Sequence, residues 1–424
     1  MSARPLFIAR TPGPAWSVVT ATRPLASLRF GAWTLCERME RWTSVSCAGV
    51  IARGALGGFA EERSPAVVTP PPDGGPGGTL LWCSTAIPAP GAERPEVSTR
   101  PTVIRVDGRY AGLWLPPGRP LPTPDELPDG RPAAERPAVT ADDGEVPVEE
   151  VDGEWLDSPW ALIDRNPHGL AADLEAFHGI GRDGRPTHHR YEGIGGVHIE
   201  RGHPIWIEED VDIGPGVVLD AREGAIKLDQ GVRVSGPARL VGPLHLSWDT
   251  WVLGGTVGTS SIGPVCKVRG EVSDTLWLGW ANKAHDGYVG RTLLGRWVNL
   301  GAGTITSDLR NDYRNVPVHL AEGRVDSGVT KLGAMIGDHV KTGIGTLLTT
   351  GATIGAGSML ASGGLAPARV PPMTWVTGRG SEPYRFDRFE QVMRAAMARR
   401  YVVPGDGMVS ILRRLAAETH GGGG

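Results

Sequence analysis

The sequence predicts an α/β domain followed by an all-β, left-handed parallel β-helix of hexapeptide repeats with C-terminal helices behind it. Three observations lead there. Aliphatic residues recur every six positions from about residue 205; small residues and glycines fill the positions between them; and 424 residues are more than one core usually holds.

In chain order, residues 1–60 read as mixed α/β, with β-type runs such as WSVVTA and a helix-like TLCERMERW. Residues 64–100 and 116–150 are rich in Pro, Gly and acidic residues and read as long loops. Between them, TVIRVDGRYAGLWLP reads as a hairpin, because Asp107-Gly108 is a favoured pair for a type I′ turn. SPWALIDRNPHGLAADLEAF reads as one or two helices, with Ser158 as N-cap before Pro159. GIGRDGRPTHHR reads as a linker.

The period then becomes six. Ile207, Ile213 and Leu219 are spaced by it, then Leu228, Val234, Leu240, Leu246 and Val252, then Ile336, Thr342, Leu348, Ile354 and Leu360. Val340, Thr346, Ala352 and Ser358 follow four residues behind the last series. Six is neither the 3.6 of an α-helix nor the 2 of a simple strand. It fits a coil with three flat sides, each carrying one inward aliphatic, a small corner residue and a glycine at the turn. SEPYRFDRFEQVMRAAMARRYV and DGMVSILRRLAAE read as two helices capping or flanking the coil, and the last glycines as disordered. The expected domains are 1–195, 196–365 and 366–424.

Composition narrows function. A net charge of -4 and a pI near 6.3 give no footprint for nucleic acid. No apolar run is long enough for a membrane span, and the N-terminus lacks a secretory pattern. Four cysteines, Cys36, Cys47, Cys83 and Cys266, follow no metal or disulfide spacing, so a cytoplasmic enzyme is expected. Of 43 basic residues only Lys227, Lys267, Lys283, Lys331 and Lys341 are lysine, all between 227 and 341. An ammonium is a compact, rotatable charge and a guanidinium a planar fork, so the cluster points to chemistry in that segment.

Residues 282–313 read NKAHDGYVGRTLLGRWVNLGAGTITSDLRNDY. His285 is followed by Tyr288 at +3, Asn299 at +14 and Ala302 at +17, the last two inside NLGAGT. This spacing resembles the acetyltransferase half of the GlmU family, the bifunctional UDP-N-acetylglucosamine diphosphorylase/glucosamine-1-phosphate N-acetyltransferases. With RPLASLRFGAWTLCERMERW, KVRGEV and IGDHVKTGIGT, nearly the whole chain is similar to a variant bacterial GlmU-like family of sugar nucleotidyltransferases.

The resemblance implies acetyl transfer from acetyl-CoA to an amino-sugar phosphate in the β-helix, by a homotrimer serving cell-envelope biosynthesis. It gives His285 the role of base, and Tyr288, Asn299, Lys267, Arg269 and Lys283 those of substrate contacts. Ala302, Asn311, Tyr313 and Ser362 would contact acetyl-CoA. The chemistry agrees, since amine acylation needs a base near pH 7 and histidine suits it. The family's phosphate-binding lysine is Ser273 here, its late-coil serine aligns with Ile344, and its Asn-Tyr pair appears only after a shift, as Asn311 and Tyr313, with Asp308 at the unshifted position.

In front, no triphosphate loop of the G-x-G-T-R type is present. The resemblance implies a degenerate sugar-nucleotidyltransferase-like domain with Arg23 and Arg29 as nucleotide-phosphate contacts, and Mg²⁺ if that domain is active. Asp107 reads as a turn former; Asn166 matches a family asparagine of unclear role. His245, His319 and His339 lack partners in the pattern and read as structural or surface residues. Trp248, Trp251, Trp277 and Trp280 fit sugar stacking or apolar coil faces equally. Two alternatives stay open: a sugar-1-phosphate nucleotidyltransferase whose β-helix only trimerises and regulates, and a scaffold without activity.

Overall fold

A computed structural model describes residues 4–8, 13–52, 56–61, 64–69, 77–96, 98–123, 126–132, 146–177 and 195–421, with only the backbone for 4–8. The expected linker and the last three glycines lie outside the described residues.

The front region holds a six-stranded mixed sheet. Asp107 and Gly108 both have positive φ, +49° and +67°, and join antiparallel strands Thr102–Val106 and Arg109–Leu115. That is the type I′ geometry the pair predicts. The helix Leu35–Thr43 starts at a capping box, in which the Thr34 hydroxyl accepts from the Glu37 amide and the Glu37 carboxylate from the Thr34 amide. A single helix, Pro159–Glu175, follows Ser158, whose hydroxyl accepts from the Ala161 amide at 3.2 Å.

Two local readings are corrected. WSVVTA is not a strand: Pro14–Trp16 is a 3₁₀ turn and Ser17–Thr20 a helical one. Trp16 and Val19 bury against the solenoid's Met335 cluster, and that packing overrides β-propensity. Residues 64–100 are not all loop, because Thr79–Cys83 is a fully buried interior strand between Arg4–Ile8 and Arg109–Leu115. Covered on both faces, TLLWC shows an apolar run instead of alternation.

From Val197 the chain winds into a parallel β-solenoid. On one side nine strands stack in register, from Ile205–Ile207 to Arg369–Val370. Ile207, Leu228, Leu246, Ile262, Trp277, Leu294, Ile336, Ile354 and Val370 form one inward, buried column. The stacking runs on through Thr374–Thr377, past the expected boundary at 365. Between Leu294 and Ile336 one coil is interrupted by an insertion bearing the hairpin Pro317–Leu320/Gly323–Asp326. Its Val316, Val318 and Leu320 share a buried cluster with Leu25, Phe30 and Leu162 of the front region.

A buried ionic network also joins the two parts. Arg23 donates to Asp338 at 2.8 Å and to both oxygens of Glu61 at 2.9 and 3.0 Å, and Arg296 donates to Glu61. Burial opposes the Glu61 charge, but the two guanidinium groups outweigh it and hold its pKa down at about 2. The helices Phe386–Ala398 and Asp406–His420 pack through Phe389, Met393, Met397 and Leu412 against Trp280, Trp297 and Met373 of the solenoid.

Candidate active site

The coil that carries NKAHDGYVG turns a corner between Asn282–Lys283 and Tyr288–Gly290. His285 lies on that corner, exposed, and its ring has no hydrogen-bond partner among the described residues. The next coil repeats the corner. Asn282 pairs with Asn299, and four residues on in each coil the Gly303 amide donates to the Asp286 carbonyl at 3.0 Å. His285 therefore lies in register with Ala302. In the following coils the Gly345 amide donates to the Ala302 carbonyl at 2.7 Å, and Gly364 donates to Gly345 at 2.8 Å, which brings Ile344 and Ser362 to the same edge. His285, Ala302 and Ser362, far apart in sequence, share one edge of the solenoid.

Beside the corner, the Tyr288 hydroxyl donates to Asp308 at 3.1 Å. Burial and then the Asp308 carboxylate push its pKa up to about 12, so Tyr288 stays protonated. Its single proton is committed to Asp308, so toward a ligand the oxygen acts as an acceptor, a role it already plays toward the Ser273 side chain. Asp308, which the resemblance marks only as a departure, is thus the partner of Tyr288. Arg269 donates to Asp286 at 3.0 Å and to the Leu253 carbonyl at 2.7 Å, and stays on the same edge.

The remaining candidates separate. Lys283 occupies the inward column of a second side, in register with Val268. It is fully buried, with its ammonium on the His285 carbonyl, and burial lowers its pKa to about 8. A contact with a sugar phosphate is therefore blocked, and Lys283 instead braces the corner from inside. Lys267 and Asn299 lie on the outer surface of that side. They line a cavity of about 450 Å³ shared with the C-terminal helix. Asn311 and Tyr313 lie exposed on the insertion loop after Asp308, where Tyr313 is 73% exposed.

The front region differs more from expectation. Arg23 is buried and held by Glu61 and Asp338, so it is a structural cation and not a phosphate contact. Arg29 is also buried, donating to the Ala32 carbonyl at 2.6 Å, and lines a small junction cavity with Trp33, Glu37 and His245. Asn166 accepts from the Gly31 amide at 2.9 Å and holds a left-handed turn. Among the described residues no group of three or more His, Cys, Asp or Glu side chains is placed to hold a metal ion.

His245 is buried on Asp229 at 3.0 Å, and His339 is buried and stacked on Trp297, its pKa lowered to about 3 by burial and by Lys341. Trp277 is core. Trp248 and Trp280 pack edge to face, and Trp251 lies under Arg233 and Lys267.

No family model matches the chain. Several known proteins are similar to it over about half its length. A bifunctional sugar-1-phosphate nucleotidylyltransferase/acetyltransferase of Sulfurisphaera tokodaii is 30% identical over 222 residues, which are 51% of this chain and 47% of that protein. The bifunctional protein GlmU of Methanococcus aeolicus is 31% identical over 50% of this chain and 44% of its own length. GlmU of Acaryochloris marina is 29% identical over 44% and 42%. The matched stretches thus span less than half of each relative. The acetyltransferase domain of PglB from Neisseria gonorrhoeae is 13% identical over 42% of this chain and 57% of its own, with a TM-score of 0.14, too weak a likeness to bear on fold or function. Over about half its length, this chain is similar to bifunctional sugar-1-phosphate nucleotidyltransferase/acetyltransferases of the GlmU type.

Proposed function

We propose that the β-solenoid is an acetyltransferase acting on an amino-sugar phosphate, with His285 as general base. The observation that carries this is the exposed imidazole at a coil corner, in register with Ala302 and beside the Tyr288–Asp308 pair. The substrate amine attacks the thioester carbonyl carbon of acetyl-CoA, and its proton passes to a ring nitrogen of His285. The C–S bond then breaks and the thiolate leaves, taking up a proton. Tyr288 accepts a hydrogen bond from the sugar, and Arg269, held on Asp286, is an outward-facing cation beside the corner. Exposed Ile344, Leu347 and Leu365 give the neighbouring surface an apolar character suited to a pantetheine arm and to a second copy of the chain. That stripe supports a homotrimer. No helix among the described residues is long and apolar enough to cross a membrane, and we place the reaction in the cytoplasm.

Nucleotidyl transfer to a sugar 1-phosphate by the front domain has less support, because Arg23 is locked in an ionic network. We read that domain as a degenerate relative of the nucleotidyltransferases. The test is incubation with acetyl-CoA and glucosamine 1-phosphate while free thiol is followed, beside an assay for pyrophosphate release from UTP and the sugar phosphate. Thiol release dependent on the amine is expected. Pyrophosphate release without any thiol release would favour the nucleotidyltransferase reading, with the solenoid as an assembly element.

A further inference from the structure

One outward column of the solenoid runs Trp251, Lys267, Asn282, Asn299, Lys341, each in register with the next. The end of the helix Phe386–Ala398 lies across it, and the cavity between them takes up about 450 Å³. Four cationic side chains line this space: Lys267 and Lys341 from the solenoid, Arg399 and Arg400 from the helix end. No carboxylate lines it. None of the four cations has an ion-pair partner among the described residues.

Several buried cations elsewhere in the chain are paired with carboxylates, Lys283 being an exception. Arg23 and Arg296 share Glu61, Arg38 has Asp173, and Lys227 has Glu208 and Asp229. In the cleft Lys267, Lys341 and Arg400 are half-buried and Arg399 is exposed, and a cation drawn partly out of water without a counter-charge is disfavoured. Yet the Lys341 ammonium has only the Trp297 carbonyl, and Lys267 only the face of Trp251. Desolvation lowers both pKa values, that of Lys341 to about 8, while Arg400 and Arg399 add repulsion at Lys267. The helix C-terminus contributes a partial negative charge of roughly half a unit, too little to balance four cations. The rest of the wall is polar and apolar in the way a phosphorylated organic molecule needs. Asn282 donates to Asn299 at 2.7 Å, which leaves the Asn299 amide nitrogen to donate further, and Trp280 and Trp297 supply flat surfaces.

We infer that this cleft binds the phosphate of a phosphate ester, clamped between Lys267 and Lys341 on the solenoid and Arg399 and Arg400 on the C-terminal helix. The volume suits a sugar phosphate or the phosphate end of a larger nucleotide-type donor. Only the choice between these two esters rests on the acetyl-transfer reading; the anion site itself does not. The site also gives the C-terminal helix a task beyond capping, since half of the clamp comes from it.

The test measures binding of inorganic pyrophosphate to the full chain by calorimetry, for the wild type and for Lys341→Met, Arg400→Gln and Arg413→Gln. Arg413 is a cation of the last helix that does not line the cavity. Binding by the wild type is expected, weakened at least tenfold in Lys341→Met and in Arg400→Gln and unchanged in Arg413→Gln, with thermal melts showing every variant folded. Equal affinity in all four proteins, or no binding by the wild type, overturns the proposal. Competition then names the ester. Displacement of pyrophosphate by glucosamine 1-phosphate assigns the acceptor, displacement by coenzyme A assigns the donor, and displacement by neither overturns the phosphate-ester assignment. Thiol release from acetyl-CoA is read separately. If it persists while pyrophosphate fails to bind, the anion site is wrong and acetyl transfer stands; if binding holds without thiol release, acetyl transfer alone falls.

Discussion

At the scale of single residues, the five lysines show what sequence reading gains and misses. Their clustering between 227 and 341 marks the part of the chain with unusual electrostatics, but each meets a different environment. Lys227 is buried with Glu208 and Asp229, Lys283 is turned into the coil, and Lys331 is exposed. Lys267 and Lys341 face the cavity with Arg399 and Arg400, a grouping no spacing rule reveals because the arginines arrive on a helix about sixty residues later. Lys341 yields a pH prediction. Its folded pKa, lowered by burial to about 8, lies below its ordinary value of 10.5. Between those values the unfolded chain holds more protons than the folded one, so stability from this group rises with pH across that window. Replacing Lys341 with Met is expected to raise the melting temperature near pH 7, with the gain fading as pH climbs from about 8 to 10.5. Melting curves at pH 7 and pH 10 check the sign; a gain that grew with pH would refute it.

At the scale of elements, the six-residue period was legible because each inward aliphatic stands directly over its counterpart one coil away, as Leu228 over Leu246 and Ile336 over Ile354. Between Leu246 and Leu294 the coils are shorter than three hexads and the pattern fades, yet the stack continues through Ile262 and Trp277. Register there is held by backbone ladders and by larger side chains, which a period count does not see. Ile354→Ala is expected to cost about 2–5 kcal/mol, the usual range for truncating a buried aliphatic, read by denaturant titration; a loss under 1 kcal/mol would mean the coil is not packed there. Local signals worked where they carry their own chemistry, as at Asp107-Gly108 and Ser158. Removing the cap in Ser158→Ala should cost about 1 kcal/mol, and no measurable change would show that tertiary packing alone fixes that helix start. WSVVTA failed for the opposite reason, because a distant surface decided its conformation.

At the scale of the molecule, the front region and the solenoid behave as joined parts. Trp16, Leu25, Phe30 and Leu162 share a core with Leu276, Leu293 and Met335, and the Arg23–Glu61–Arg296–Asp338 network closes the same junction. None of this was legible in sequence, where Arg23 reads as a phosphate ligand. Glu61 makes the junction sensitive to acid. Its pKa is held at about 2 against an ordinary 4.5, so its stabilisation is present above 4.5 and is lost as pH falls toward 2. Glu61→Ala leaves the buried Arg296 guanidinium without a carboxylate and Arg23 with Asp338 alone, and is expected to cost about 3–5 kcal/mol, whereas Glu61→Gln should mimic the acid state at neutral pH. Limited proteolysis of the front region across pH 5 to 2 would follow the loss, and a pH-independent cleavage rate would contradict it.

The same long-range assembly brings His285 into register with Ala302 and onto one edge with Ser362, and the function depends on that edge. The most direct measurement is thiol release from acetyl-CoA, in the presence of the amino-sugar phosphate, by the wild type and by His285→Ala. The imidazole is exposed and has no partner among the described residues, so its removal is expected to leave the fold unchanged. Acetyl transfer is expected to fall by a factor of about 10² or more, the usual size of a general-base contribution, with the melting temperature and any pyrophosphate release unaltered. A His285→Ala protein that transfers acetyl groups at the wild-type rate would contradict the account.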